Sequence, residues 1–255
     1  MARIVNVFSA VFEGELILSV RLYSMQCVVF KMKLVLRIGG SVIASPFNPA
    51  LLRGYADLLI KLKREGHVVA AVVGGGFLAR EMIRVAKEMG LKEPEQDEVA
   101  ISVSRLVAQL LLMKLGEAGA EKVPMSIEEA ADFVKVGKVV VIGGLKPGMT
   151  TDAVAAMLAE RIGADLLVKA TDQEGIYTRD PRKHRDARKL DVLSFDDLTR
   201  FFEKEKHEAG IHQVLDPEAV RILKKGKTRT IVLNGFNPNN VLLAVKDEKV
   251  GTLIE

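Results

Sequence analysis

From Lys33 onward, short β-branched runs alternate with longer stretches in which apolar positions recur every three or four residues. Lys33–Ile38 reads as a strand ending in Gly39-Gly40-Ser41. Asn48-Pro49 opens a helix by the cap-then-proline pattern, with apolar positions at Leu51, Leu52, Tyr55, Leu58, Leu59 and Leu62, and Gly66 ends it. His67–Val73 is a second strand, ending in Gly74-Gly75-Gly76; a helix from about Phe77 to Met89 follows, stopped by Gly90. Pro94–Leu115 reads as one long helix, polar at its start and nearly all apolar over Leu106–Leu112. Ser126 and Glu129 form a capping box for the next helix. Lys138–Ile142 is a third strand, ending in Gly143-Gly144. A helix from about Asp152 to Ile162 stops at Gly163, and Asp165–Ala170 is a fourth strand. Ser194 and Asp216-Pro217 each open a helix, Arg229–Asn234 is a further strand, and Val250–Ile254 is predicted to close the chain as an edge strand.

Strands separated by helices predict an α/β fold, a three-layer α/β/α sandwich around a mostly parallel central sheet. No repeat of solenoid length and no low-complexity linker divides the chain. Tyr177–Lys189, rich in Arg, Lys, Asp and His with Pro181 inside it, reads as a surface loop or hairpin between an N-terminal and a C-terminal half. Residues 1–31 stand apart as an N-terminal extension. Their apolar clusters, Ile4–Val7 and Leu16–Val20, are interrupted by Arg3, Glu13, Glu15 and Arg21. No run there reaches the roughly 18 apolar residues that span a bilayer, and no secretory cleavage pattern follows. The extension is either a membrane-surface anchor or the product of a start set upstream of Met32; the second is preferred, because the motif-bearing pattern begins immediately after Met32.

Composition narrows the classes. A net charge of +4, from 37 basic and 33 acidic residues interspersed along the chain, suits small polyanionic substrates and is too mild to point to nucleic acid. Aromatic residues are sparse and tryptophan is absent, so no base-stacking platform is expected. A single cysteine, Cys27, excludes an intramolecular disulfide and a cysteine metal cage, which makes a cytoplasmic enzyme the default. The four histidines, His67, His184, His207 and His212, have neither metal-ligand spacing nor a nucleophile partner, and are read as non-catalytic.

Three strands end in glycine pairs or triplets. In a parallel sheet all three turns lie at the carboxyl edge, where ligands bind. Glycine lets backbone approach a phosphate, and the helix that follows offers free N–H groups. Tight strand-to-helix turns explain any one of them; all three together suggest a long, highly charged ligand. Gly74, Gly76 and Ala79 also fit the dinucleotide spacing G-x-G-x-x-G/A, with Asp97 about twenty residues on. That fingerprint needs its acid at a strand end, whereas Asp97 sits at a polar helix start. No G-x-x-x-x-G-K-[ST] occurs, so a P-loop is excluded.

Four segments in order, Arg37-Ile38-Gly39-Gly40-Ser41, Val73-Gly74-Gly75-Gly76 with Ala79-Arg80, Gly143-Gly144 through Asp152, and Thr171-Asp172-Gln173-Glu174-Gly175-Ile176-Tyr177-Thr178-Arg179-Asp180-Pro181, resemble the amino acid kinase superfamily. The P-G-x-T-T-D segment at Pro147–Asp152 is similar to its uridylate kinase branch of archaeal type. The resemblance runs from about Met32 to Glu255. It implies direct transfer of a phosphoryl group from ATP to UMP; the acidic residues show no carboxylate cluster for a fixed metal, so magnesium is expected to enter with ATP. The acceptor lobe would span about 32–165 and the ATP lobe about 166–255.

By the same resemblance, Arg37, Ile38, Gly39, Gly40 and Ser41 would lie over the ATP phosphates, joined by Gly76 and Arg80. The family usually has lysine where Arg37 stands; arginine keeps the charge and adds a planar fork. Thr171, Asp172, Tyr177 and Asp180 would bind the adenosine of ATP, with Asp172 in place of the usual asparagine. Gly75, Asp97 and the run Leu145, Lys146, Pro147, Gly148, Met149, Thr150 and Thr151 would hold UMP, Asp97 through the ribose hydroxyls. Arg37 and Asp152 would be catalytic, Asp152 by organising nearby cations. Lys169 has no matching role and is read as a surface lysine; Asp216 is read as a helix cap only. Rival readings are a sister kinase for isopentenyl phosphate, an amino acid or acetylglutamate, and a non-catalytic nucleotide-binding member. The glycine turn Gly76–Arg80 lacks the histidine expected of an isopentenyl phosphate kinase. The family's hexamers, built from dimers across such helices, set against the apolar run Leu106–Leu112, predict a homo-oligomer; a buried core helix accounts for the same run.

Overall fold

The first strand, β1 (Lys33–Ile38), buries its apolar side chains on both faces, as a strand does inside a parallel sheet covered on two sides. The computed structural model describes residues 31–205 and 215–255. The readings of the N-terminal extension, Cys27, His207 and His212 therefore lie outside the described residues, apart from Lys31. After β1 come a short helix α1 (Gly40–Ile43), α2 (Pro49–Arg64), β2 (Val68–Val73), α3 (Gly76–Glu88) and α4 (Glu93–Leu115). A 3₁₀ turn at Gly116–Ala118 leads to α5 (Ile127–Lys135), β3 (Val140–Ile142), α6 (Thr151–Ile162) and β4 (Leu166–Thr171). A hairpin of β5 (Ile176–Tyr177) and β6 (Lys189–Leu190) precedes β7 (Val192–Leu193), α7 (Phe195–Glu205), α8 (Pro217–Gly226), β8 (Arg229–Asn234), α9 (Asn239–Val245) and β9 (Thr252–Ile254).

The sheet has seven strands in the order β3-β2-β1-β4-β8-β9-β7, parallel at every pair except β8–β9. On one face α4 packs against α2, α3, β2 and β3; on the other α6 packs against β1, β2, β4, α5 and α8. This is the three-layer sandwich that the alternation predicts. The final strand differs from expectation: β9 lies inside the sheet between β8 and β7, and β7 takes the edge. Two residues are too short a run for β7 to show in the sequence, so its neighbour reads as terminal.

Local chemistry sets the helix starts. Asn48 accepts from the Ala50 and Leu51 amides ahead of Pro49, and Ser126 accepts from the Glu129 amide while Glu129 takes the Met125 amide. The long α4 is apolar and long enough to cross a membrane by composition alone. Ile101, Val103, Val107, Ala108, Leu111, Leu112 and Leu115 are buried within the fold, leaving Leu106, Leu110 and Met113 exposed at 49%, 45% and 70%.

Candidate active site

The chain builds outward from β1 through β2 to β3, then returns to lay β4 against the other side of β1. That reversal opens a crevice beyond the carboxyl ends of β1 and β4, where open α/β sheets take ligands. Arg37 and Lys169 stand opposite each other in the β1–β4 register. Like charges across two strands repel, and in a covered sheet they need a counter-ion. Asp152, in the first turn of α6, supplies it. Its Oδ1 lies 2.6 Å from Arg37 Nε, and its Oδ2 pairs with Lys169 Nζ. Arg37 Nη2 also donates to Thr151 Oγ1 at 2.8 Å.

Lys169 corrects the reading of a surface lysine: it is 6% exposed and lines the crevice. A lysine in an interior strand reaches only the cavity and the carboxylate beside it. The signal in the sequence was a lone charge within the apolar run Leu166–Ala170. Burial by itself would raise the Asp152 carboxyl, but the charges of Arg37 and Lys169 outweigh it and hold the group below the ordinary carboxylate range. Burial lowers Lys169, with the Arg37 charge adding to it, against the pull of Asp152 and Asp216. The crevice floor is thus a buried site with two cations to one carboxylate.

Backbone closes in above this floor. Gly76 has φ of +60°, and a Cβ there would come within 2.4 Å of the carbonyl oxygens of Ala44 and Gly40. A Cβ on Gly40 would lie 2.3 Å from the Gly76 nitrogen. The first two glycine turns therefore touch backbone to backbone, which only glycine permits. The third pair has a packing role as well. At Gly143 a Cβ would meet the backbone of Ser104 and Arg105 within 2.8 Å, so this glycine lets the end of β3 press on α4. Gly144 donates to Ser104 Oγ at 2.8 Å. Gly40, Gly74, Gly75, Gly76 and Gly144 nonetheless all line one cavity of about 590 Å³, within the size range of small-molecule sites.

The Amino acid kinase family model matches residues 32–234, and every motif just described falls inside that span. The chain belongs to the amino acid kinase family. It is 41% identical over 226 residues to a uridylate kinase of Methanocaldococcus jannaschii, covering 88% of this chain and 100% of that one. It is 37% identical over 223 residues to a uridylate kinase of Methanobrevibacter smithii, covering 88% of this chain and 99% of the other. Among solved structures, uridylate kinase from Archaeoglobus fulgidus superposes with a TM-score of 0.79 at 39% identity, over 88% of this chain and all of that one. UMP kinase from Bacillus anthracis, at 22% identity and a TM-score of 0.74 over 88% and 96% of the two chains, shares the fold.

In this amino acid kinase the cavity gathers most of the residues expected to hold the acceptor. Asp97, Lys146, Gly148, Met149, Thr150 and Thr151 line it together with Gly75. Asp97 Oδ2 accepts from the Gly148 amide at 2.8 Å, tying the first turns of α4 to the loop before α6. Arg105, which sequence reasoning passed over, donates to the Gly144 and Leu145 carbonyls at 3.0 and 2.9 Å and so braces that loop. Leu145 packs against the core and Pro147 is exposed, both off the cavity wall.

Of the residues expected to hold ATP, Arg37, Gly40, Ser41, Gly76, Arg80 and Thr171 line the same cavity, and Ile38 and Gly39 do not. Arg80 Nη2 donates to Ser45 Oγ at 3.1 Å. Asp172, Tyr177 and Asp180 are outside this cavity. Burial alone would raise Asp172, but its 2.6 Å pair with Arg182 helps to hold it low. Asp180 is buried and accepts from the Arg182 amide at 3.0 Å in the turn beyond β5. His67 is buried as well, its Nδ1 accepting from the Met32 amide.

Proposed function

We propose that this protein transfers the γ-phosphoryl group of ATP to UMP, giving ADP and UDP by direct in-line displacement, a step of pyrimidine nucleotide biosynthesis. The observation that carries the reading is Arg37 opposite Lys169 at the sheet's switch point, bridged by Asp152 beneath two glycine turns. Phosphoryl transfer asks a protein for positioning and charge neutralisation more than for covalent work. Arg37 and Lys169 are the catalytic cations, placed to neutralise charge spreading over the transferring oxygens in a site that water screens poorly. Both oxygens of Asp152 are committed to those cations, so its part is to position them.

The helix starts of α3 and α6 hold the triphosphate of ATP and the single phosphate of UMP. Loop 145–151 wraps UMP, and the Asp97 oxygen not taken by Gly148 accepts from a ribose hydroxyl. Thr171, Asp172, Tyr177 and Asp180 take adenosine. Magnesium travels with ATP: among the described residues no three acidic, histidine or cysteine side chains gather, so phosphates and water would supply most of its ligands. UMP as acceptor draws support from curated relatives named uridylate kinase at 37–41% identity. The protein works in the cytoplasm as a homo-oligomer, a hexamer arranged as a trimer of dimers.

The test is ADP release from ATP with a panel of acceptors: UMP, CMP, isopentenyl phosphate and acetylglutamate. Turnover is expected with UMP. Turnover with isopentenyl phosphate and none with UMP would reassign the acceptor and leave the fold and family intact.

A further inference from the structure

One contact ties the α6 side of the crevice to the C-terminal half of the chain. Thr150 caps α6, its Oγ1 accepting from the Ala153 amide at 3.0 Å. Asp216 caps α8, its Oδ1 accepting from the Ala219 amide at 2.9 Å. The same Thr150 hydroxyl donates to Asp216 Oδ2, so two caps 66 residues apart form one hydrogen-bonded unit. Capping accounts for one oxygen of Asp216 and leaves the other unexplained. That second oxygen fixes the rotamer of a side chain on the cavity wall. The negative charge of Asp216 also acts on Lys169. Immediately beyond Thr150 come Thr151, which receives Arg37, and Asp152, which holds both cations.

We propose that Asp216 is a positioning residue for phosphoryl transfer: acting through Thr150, it holds the first turn of α6 in register with the cations on β1 and β4. The proposal rests on the kinase reading of the cavity. Its logic is geometric, since in-line transfer is sensitive to displacements on the order of 1 Å.

Asp216→Ser separates the two jobs. Serine caps a helix about as well as aspartate, but it has no second oxygen and no charge. Asp216→Asn keeps the shape and the cap, and offers Thr150 an amide donor in place of an acceptor. Wild-type turnover of ATP and UMP is measured first; its absence would remove the kinase reading and this proposal together. With turnover in hand, the expected result for both variants is a fall in kcat/KM for UMP of about tenfold or more, with KM for ATP within about twofold. Melting temperatures should stay within a few degrees of wild type, because the cap survives. Wild-type kinetics in either folded variant would overturn the proposal, since capping would then be all that Asp216 does. Equal losses for both substrates, in step with a lowered melting temperature, would overturn it as well.

Discussion

At Gly76 a single added methyl group would reach the site through the backbone. Left-handed strain on a non-glycine residue there costs about 1–3 kcal/mol, and the clash with two carbonyl oxygens adds to it. Gly76→Ala is therefore expected to lower the unfolding free energy by at least that amount and to abolish the thermal shift given by ATP. Gly90 also has positive φ, +81°, but nothing lies within 4 Å of a Cβ there. Gly90→Ala should lose only about 1 kcal/mol and keep its response to ATP. Asp152 sets a pH dependence. Its carboxyl is held below the ordinary value, so its contribution to stability is complete above about pH 4 and is lost as pH falls through the lowered folded value. Below about pH 4, urea unfolding should show the gap between wild type and Asp152→Asn narrowing as the wild-type carboxylate takes up its proton. A gap that grew on acidification would contradict the assignment. Lys169 marks the limit of reading at this scale: only its place at mid-sheet makes it an interior cation.

Among the elements, α6 carries the carboxylate that pairs Arg37 and Lys169, and α4 presents a surface. The first turn of α6 is short-range information, a threonine cap followed by an acid, and its position was legible to within one residue. Its partners were not: Asp216 and Arg37 are brought to it by packing across the chain. Likewise β9 reads as an edge because β7, two residues long, gives no signal. On α4, Leu106, Leu110 and Met113 fall at i, i+4 and i+7, one exposed stripe on a helix whose other side is core. Light scattering is expected to give an oligomer for the wild type. Leu110→Glu should reduce its mass while leaving the melting temperature of the subunit within a few degrees. A monomeric wild type would remove the oligomer proposal.

Across the whole molecule, the layered α/β fold followed from alternation alone, because strand and helix periods are written locally. The convergence of the first two glycine turns followed from the parallel sheet, which puts every strand-to-helix turn on one edge. The packing of Gly143 on α4 was not legible, because a glycine needed for helix packing looks the same in sequence as one needed for a phosphate. What alternation could not supply was strand order, and strand order is what sets β4 beside β1 and Lys169 across from Arg37. The account therefore stands on that pair as the place where the phosphoryl group crosses. The direct measurement is the rate of UDP formation at saturating ATP and UMP in Lys169→Met against wild type, with thermal unfolding alongside. Removing one cation leaves Arg37 and Asp152 balanced, so the fold should hold while kcat falls by about 100-fold or more. A folded Lys169→Met enzyme with wild-type kcat would contradict the account.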